Sequence, residues 1–136
     1  MSSSSMFRSF YATLLYAGYN VEMDEVGVML VGAGYKPDLL RHTRRSDIVG
    51  ELPISGGYDG PVKTTVEMNH TDRGIELRFG GGRWSTSSIA PAGAIYFVSH
   101  GGEASEDELL CWHSFGKVFA CTDGTFVLAP TVFEFK

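Results

Sequence analysis

Between Val62 and Phe79 the chain alternates apolar and polar residues with a period of two, and this pattern limits its folding more tightly than any other feature. Val62, Thr64, Val66 and Met68 interleave with Lys63, Thr65, Glu67 and Asn69; Ile75, Leu77 and Phe79 interleave with Glu76 and Arg78. A period of two sends successive side chains to opposite sides of an extended backbone, so each run reads as a strand with one buried and one wet face. The polar stretch from His70 to Gly74 reads as the hairpin connection between them. Upstream, Val26, Val28 and Leu30 alternate with Gly27, Met29 and Val31, so both faces are apolar and the strand is expected to be central or covered on both sides. Downstream, Ala94–Val98, Leu109–Phe115, Val118–Cys121, Phe126–Leu128 and Val132–Phe135 are five further strand candidates. Gly80 to Gly82 break the pattern, Trp84 and Ile89 resume it across a Ser/Thr-rich link, and Asp123-Gly124 is a tight-hairpin signal. Strands at this spacing predict an all-β fold, an antiparallel β-sandwich or barrel.

The expected exception is at the N-terminus. Residues 1–5 read as a flexible polar leader. Phe7, Phe10, Tyr11, Leu14 and Leu15 then fall at helical spacing, with Ser4 or Ser5 to cap the start and Gly18 to end it, which predicts one short helix over 6–18. Residues 1–136 are expected to form a single domain, its β part over 25–136, with neither repeat nor linker.

The first strand is followed by an unusually long connection, GYKPDLLRHTRRSDIVGELPISGGYDG, from Gly34 to Gly60. Most connections in a compact domain are ~4–6 residues long, and longer ones are commonly functional or disordered. Tyr35, Leu39, Leu40, Ile48, Val49, Leu52, Ile54 and Tyr58 supply apolar anchors, so it is expected to be an ordered excursion on the outside of the β domain. Lys36-Pro37-Asp38 opens it with turn chemistry, Ser46 to Leu52 suits a single helical turn, and Pro53 with Gly56-Gly57 turns the chain back. Within it, Lys36, Arg41, Arg44 and Arg45 form a basic cluster in a chain whose net charge is -5, from 11 basic and 16 acidic residues. Such a cluster reads either as a solvated face or as a surface that docks on an acidic protein, for which Arg is well suited.

An acidic balance argues against general nucleic-acid and anionic-membrane binding, which need a basic face. No run approaches the ~20 apolar residues of a membrane span. The N-terminus, interrupted by Arg8, lacks the layout of a secretion signal, so cytoplasmic synthesis is expected. Cys111 and Cys121 read as buried reduced thiols, with a cross-strand bridge as the alternative. Gly80-Gly81-Gly82 lacks the Lys-Ser/Thr and the strand-to-helix context of a phosphate loop. Cys111, His113 and Cys121 are the nearest approach to a metal set, but alternation places Cys111 and His113 in a strand among Leu109 and Phe115, where core packing is the better account. No nucleophile elbow occurs, and adjacent acids such as Asp24-Glu25 and Asp107-Glu108 point apart in an extended chain. Neither catalysis, a cofactor nor a metal is expected.

Phe7 to Leu15 is followed by Met23-Asp24-Glu25 leading into the valine-rich strand. Next come Tyr35-Lys36-Pro37-Asp38, then His42, Asp47-Ile48-Val49 with Glu51, and Gly56-Gly57-Tyr58. Later come Trp84, the run from Ile89 through Ala90, Ala92 and Ala94 to Tyr96, and Gly124-Thr125-Phe126. In this order and spacing the chain resembles a family of small virion proteins of tailed bacteriophages, over nearly its whole length. It departs at Pro91 and Gly93, which loosen a strand, and at Ala129-Pro130-Thr131. The resemblance implies a non-catalytic capsid decoration, or cement, protein on the outside of the head lattice. The major capsid protein would be its partner, and self-association into a dimer or trimer would add multivalency. The expected partner-binding residues are Tyr35, Lys36, Asp38, Arg41, His42, Arg44, Arg45 and Tyr58. Charge reversal at Arg41 and Arg45 together is expected to spare folding and weaken attachment. The alternatives are a tail or baseplate component, a carbohydrate-binding β-sandwich that stacks sugars on Trp84, Trp112 or the tyrosines, and a hydrolase.

Overall fold

The computed structural model describes residues 3–8, 10, 25–100 and 103–135. Among the described residues ten strands lie in three sheets, and every ladder between them is antiparallel. The largest sheet runs in the order β1 (Ser3–Met6), β8 (Glu108–Ser114), β7 (Gly93–Val98), β2 (Val26–Val31) and β3 (Val62–Thr64). A second sheet places β5 (Gly74–Phe79) between β10 (Thr131–Phe135) and β4 (Val66–Thr71). A third pairs β6 (Gly82–Ile89) with β9 (Cys121–Leu128). The all-β expectation holds, with the strand of two apolar faces second from the edge of the main sheet and all six of its residues buried.

One core joins the three sheets. Val26, Val28 and Leu30 of β2 and Ala94, Tyr96 and Val98 of β7 point into it. There they meet Leu77 and Phe79 of β5, Trp84 and Ile89 of β6, and Leu128 of β9. The opposite face of the main sheet carries a second cluster, in which Met29, Val31, Ile95, Phe97 and Leu109 pack with Phe7 and Tyr35. Leu39, Ile48 and Trp112 lie against that cluster. This explains the two apolar faces of β2: the excursion forms a lid over the second one.

Several sequence expectations are corrected. Residues 3–5 are not a frayed leader but part of an edge strand, with Ser4 opposite His113 and Met6 opposite Cys111. Met6 is in that strand, so the helix expected over 6–18 is not borne out as drawn; Arg8 and Phe10 have helical backbone, and residues 9 and 11–18 lie outside the described residues. The alternating run from Val62 to Asn69 is two strands in two sheets, parted at Thr65. The Ser/Thr-rich link after Trp84 is the body of β6, and Val118 to Ala120 lies outside any strand. Asp123-Gly124 sits inside β9 rather than in a hairpin turn. Asp123 takes a left-handed backbone (φ 47°) where the β6–β9 register slips, as a bulge does. A second slip lies between β7 and β8, where Tyr96 faces Cys111 but Phe97 faces Leu109. The extra residue, Leu110, lets Leu110 and Cys111 both join the main core, while Leu109 belongs to the second cluster. Alternation alone had set Leu109 and Cys111 on one face.

Candidate docking surface on the excursion

The excursion is fastened from the inside. Tyr35 is buried, its ring edge-on to Trp112 with centroids 5.0 Å apart. Burial of its phenol beside Asp38 pushes its pKa above the ordinary tyrosine value. Asp38 then shapes the turn: its Oδ1 accepts the backbone N–H groups of Leu40 and Arg41, at 3.3 and 3.1 Å, and its carbonyl accepts that of His42. A single 3-10 turn, Arg45–Asp47, stands where one helical turn was expected. Asp47 Oδ2 accepts the N–H groups of Thr43 and Arg44 at its start, which lowers the Asp47 pKa. Further on, Leu52 donates its N–H to the Leu30 carbonyl and Gly32 donates to Gly50, so the returning chain runs beside the end of β2. Gly50 has φ 118°, and a Cβ there would sit 3.0 Å from the Tyr35 backbone; the lid closes on itself at that point.

The basic residues divide into two groups. Arg45 is turned inwards: its Nε donates to Asp107 Oδ2 at 2.8 Å, with side-chain exposures of 19% and 3%. Its guanidinium stacks 5.1 Å from the Phe97 ring centroid. Arg44 reaches Glu108 at 3.4 Å, and His100 Nε2 lies 3.5 Å from the same carboxylate oxygen. Asp107, just before β8, is buried, and its Oδ1 also accepts the His100 N–H. Arg41, by contrast, is 88% exposed on its side chain and only 4.0 Å from Asp38 at its nearest. Lys36 is exposed, and no ion pair joins it to an acid among the described residues.

The eight expected site residues therefore do not form one surface. Tyr35 and Tyr58 are interior. Tyr58 is fully buried in the main core, donates its hydroxyl to Glu51 and accepts the Leu30 N–H. Burial, with the Glu51 carboxylate next to the phenol, raises its pKa. His42 is half-buried against Tyr35, with ring centroids 6.2 Å apart. Asp38 and Arg45 are structural, and Arg44 is half-exposed in its ion pair. Lys36 and Arg41 remain available, beside two strongly exposed apolar side chains, Leu40 at 69% and Val49 at 80%. Sequence reasoning missed Arg8. It is exposed, and its N–H donates to the Leu39 carbonyl at 2.8 Å, which sets it against the same turn as Arg41. Nothing local in the sequence marks that contact, because it joins residues far apart in the chain.

Chemistry of other kinds finds little here. Among the described residues no three His, Cys, Asp or Glu side chains gather as a metal site requires, and no helix is long and apolar enough to cross a membrane. Cys111 and Cys121 are free thiols, the first buried and the second half-buried beside Ser87. Trp84 is 4% exposed and packed between Tyr58 and Phe126, and Trp112 has its edge contact with Tyr35. The buried Trp84 indole presents no open platform to a sugar ring.

Against known proteins, the chain matches no family profile, no curated protein and no solved structure.

Proposed function

We propose that this protein is a structural virion protein of a tailed phage. On this reading it binds the outside of the capsid lattice as a decoration, or cement, protein on a β-sandwich-like scaffold. The observation that carries this reading is the two-sided build of the excursion. Its inner residues are spent on the fold, and the outer ones, Lys36, Leu40, Arg41 and Val49, are displayed from a base packed against the second cluster. Fixed apolar side chains flanked by cations suit a flat acidic protein surface, since little ordering entropy is lost on docking. Each copy that bridges capsid subunits raises the cost of parting them by mass action, and repetition over a shell multiplies a weak contact.

The test is re-addition to particles stripped of the protein. Wild type should rebind and restore heat tolerance. Lys36→Glu with Arg41→Glu should fold normally and rebind at least tenfold more weakly. Equal rebinding of this variant, or heat tolerance that ignores the protein, overturns the reading.

A further inference from the structure

Away from the excursion, a groove of about 660 Å³ opens between the segment after β8 and the end of β9. Its walls include Phe115, Phe119, Phe126, Leu128 and Pro130, and Lys117 stands among them. That volume lies within the range of small-molecule sites, ~300–1,000 Å³. The walls are braced from behind: Phe115 packs on Phe119 and Phe126, with centroids 5.8 and 6.0 Å apart, and Phe126 leans on Trp84. The Phe119 N–H is tied to the Pro91 carbonyl at 2.9 Å. The groove is thus formed before anything enters it. Phe119 is nevertheless 43% exposed and Val127, also on its rim, 62% exposed. Apolar surface of this kind, left open in a concave site, favours an apolar occupant.

Charge narrows the choice. Among the described residues no acidic side chain lines this groove, although the chain as a whole is acidic. Lys117 holds its ammonium 4.9 Å from the Phe119 ring centroid, and no ion pair joins it to an acid among the described residues. His113, at the inner end, has its Nδ1 paired with the Ser4 hydroxyl, and burial lowers its pKa, so Lys117 is the cation that remains at neutral pH. One flexible ammonium, with no arginine fork beside it, suits a singly charged carboxylate better than a phosphate. We propose that this groove binds a single-chain amphipathic carboxylate, its hydrocarbon laid along Phe115, Phe119 and Phe126 and its head group at Lys117. This site is independent of the docking face on the excursion and stands or falls separately.

Calorimetric titration of the whole chain with dodecanoate, below its micelle threshold, tests it, together with amide shifts across 115–130. Dodecanoate should saturate at one molecule per chain and move those amides. Lys117→Gln should weaken it roughly three- to tenfold, the range of one exposed to partly buried charge contact. Dodecyltrimethylammonium, with the same tail and the opposite charge, should bind far more weakly. Absence of saturable binding, equal binding of dodecanol or of the ammonium amphiphile, or an unaffected Lys117→Gln variant would overturn the proposal. So would broadening of the same amides with protein concentration alone, which would assign the groove to a second copy of the chain.

Discussion

Arg45 and Asp107, 62 residues apart in sequence, form a charged hydrogen bond of 2.8 Å that fastens the excursion to the start of β8. The two are joined twice over, since the Arg45 N–H also donates to the Asp107 carbonyl at 2.8 Å. Removing one partner of a buried pair costs about 3–5 kcal/mol, largely because the other charge is left buried alone. Arg45 keeps some exposure, so the lower figure applies. Arg45→Ala should therefore lose about 3 kcal/mol, or roughly 10 °C in Tm for a chain of this size. Arg44→Ala, which breaks a pair about 40% exposed on each side, should cost under about 1 kcal/mol. Comparable losses in the two variants would mean that the clasp is not where the energy lies. Reversing Arg41 with Arg45 should therefore cost stability, against the sequence-based expectation, and Lys36 replaces Arg45 in the docking test.

Tyr58 pins the far end of the excursion. Its hydroxyl serves Glu51 and the Leu30 N–H together. Tyr58→Phe leaves both without that partner and should cost about 1–3 kcal/mol, with the apolar contacts to Trp84 kept. Chemical denaturation with an unchanged m-value is the measurement, and a neutral result would show that water replaces the hydroxyl.

Stability should fall in two stages on acidification. Burial holds the His113 pKa below its ordinary 6.5. The unfolded chain thus binds that proton first, and stability is lost as pH drops below about 6.5 towards the folded value. Asp47 is depressed below 3.8 by the N–H groups of Thr43 and Arg44. Its contribution is present above about 3.8 and disappears as pH falls through the lower folded value. Melting curves of His113→Asn should flatten the first stage only. Asp47→Asn should be less stable than wild type at pH 7 and converge with it in strong acid.

The two thiols should differ in reactivity. Cys111 is fully buried in the main core, and its pKa is raised well above the usual thiol value. Cys121 is half-buried beside Ser87. A thiol reagent should therefore modify Cys121 in the native protein and both cysteines after unfolding. Two fast thiols in the folded state would contradict the placement of Cys111 in the core.

Much of the fold was legible because the period-two pattern is local, and β2, β5 and β7 lie within a residue of where that pattern sets them. What could not be read was the register. The extra residue at Leu110 and the left-handed Asp123 are single-residue events that alternation treats as noise, yet each re-aims the residues around it. The division of Val62–Asn69 at Thr65 depends on which sheet each half joins, which is decided by distant strands. The excursion was recognisable from its length and anchors, but not which side of it faces inwards. Arg44 and Arg45 are neighbours of one charge, and only the position of Asp107 separates their roles. Phe119 fell within a strand candidate, Val118–Cys121, because a groove is made by segments that sequence does not bring together.

The docking account is tested most directly by imaging a tailed-phage particle that carries this protein, at a resolution that orients the subunit. The account expects density on the outer face of the head, with Lys36, Leu40 and Arg41 turned towards the lattice. Density confined to the tail, or a head-bound subunit with that turn facing open solvent, would contradict it.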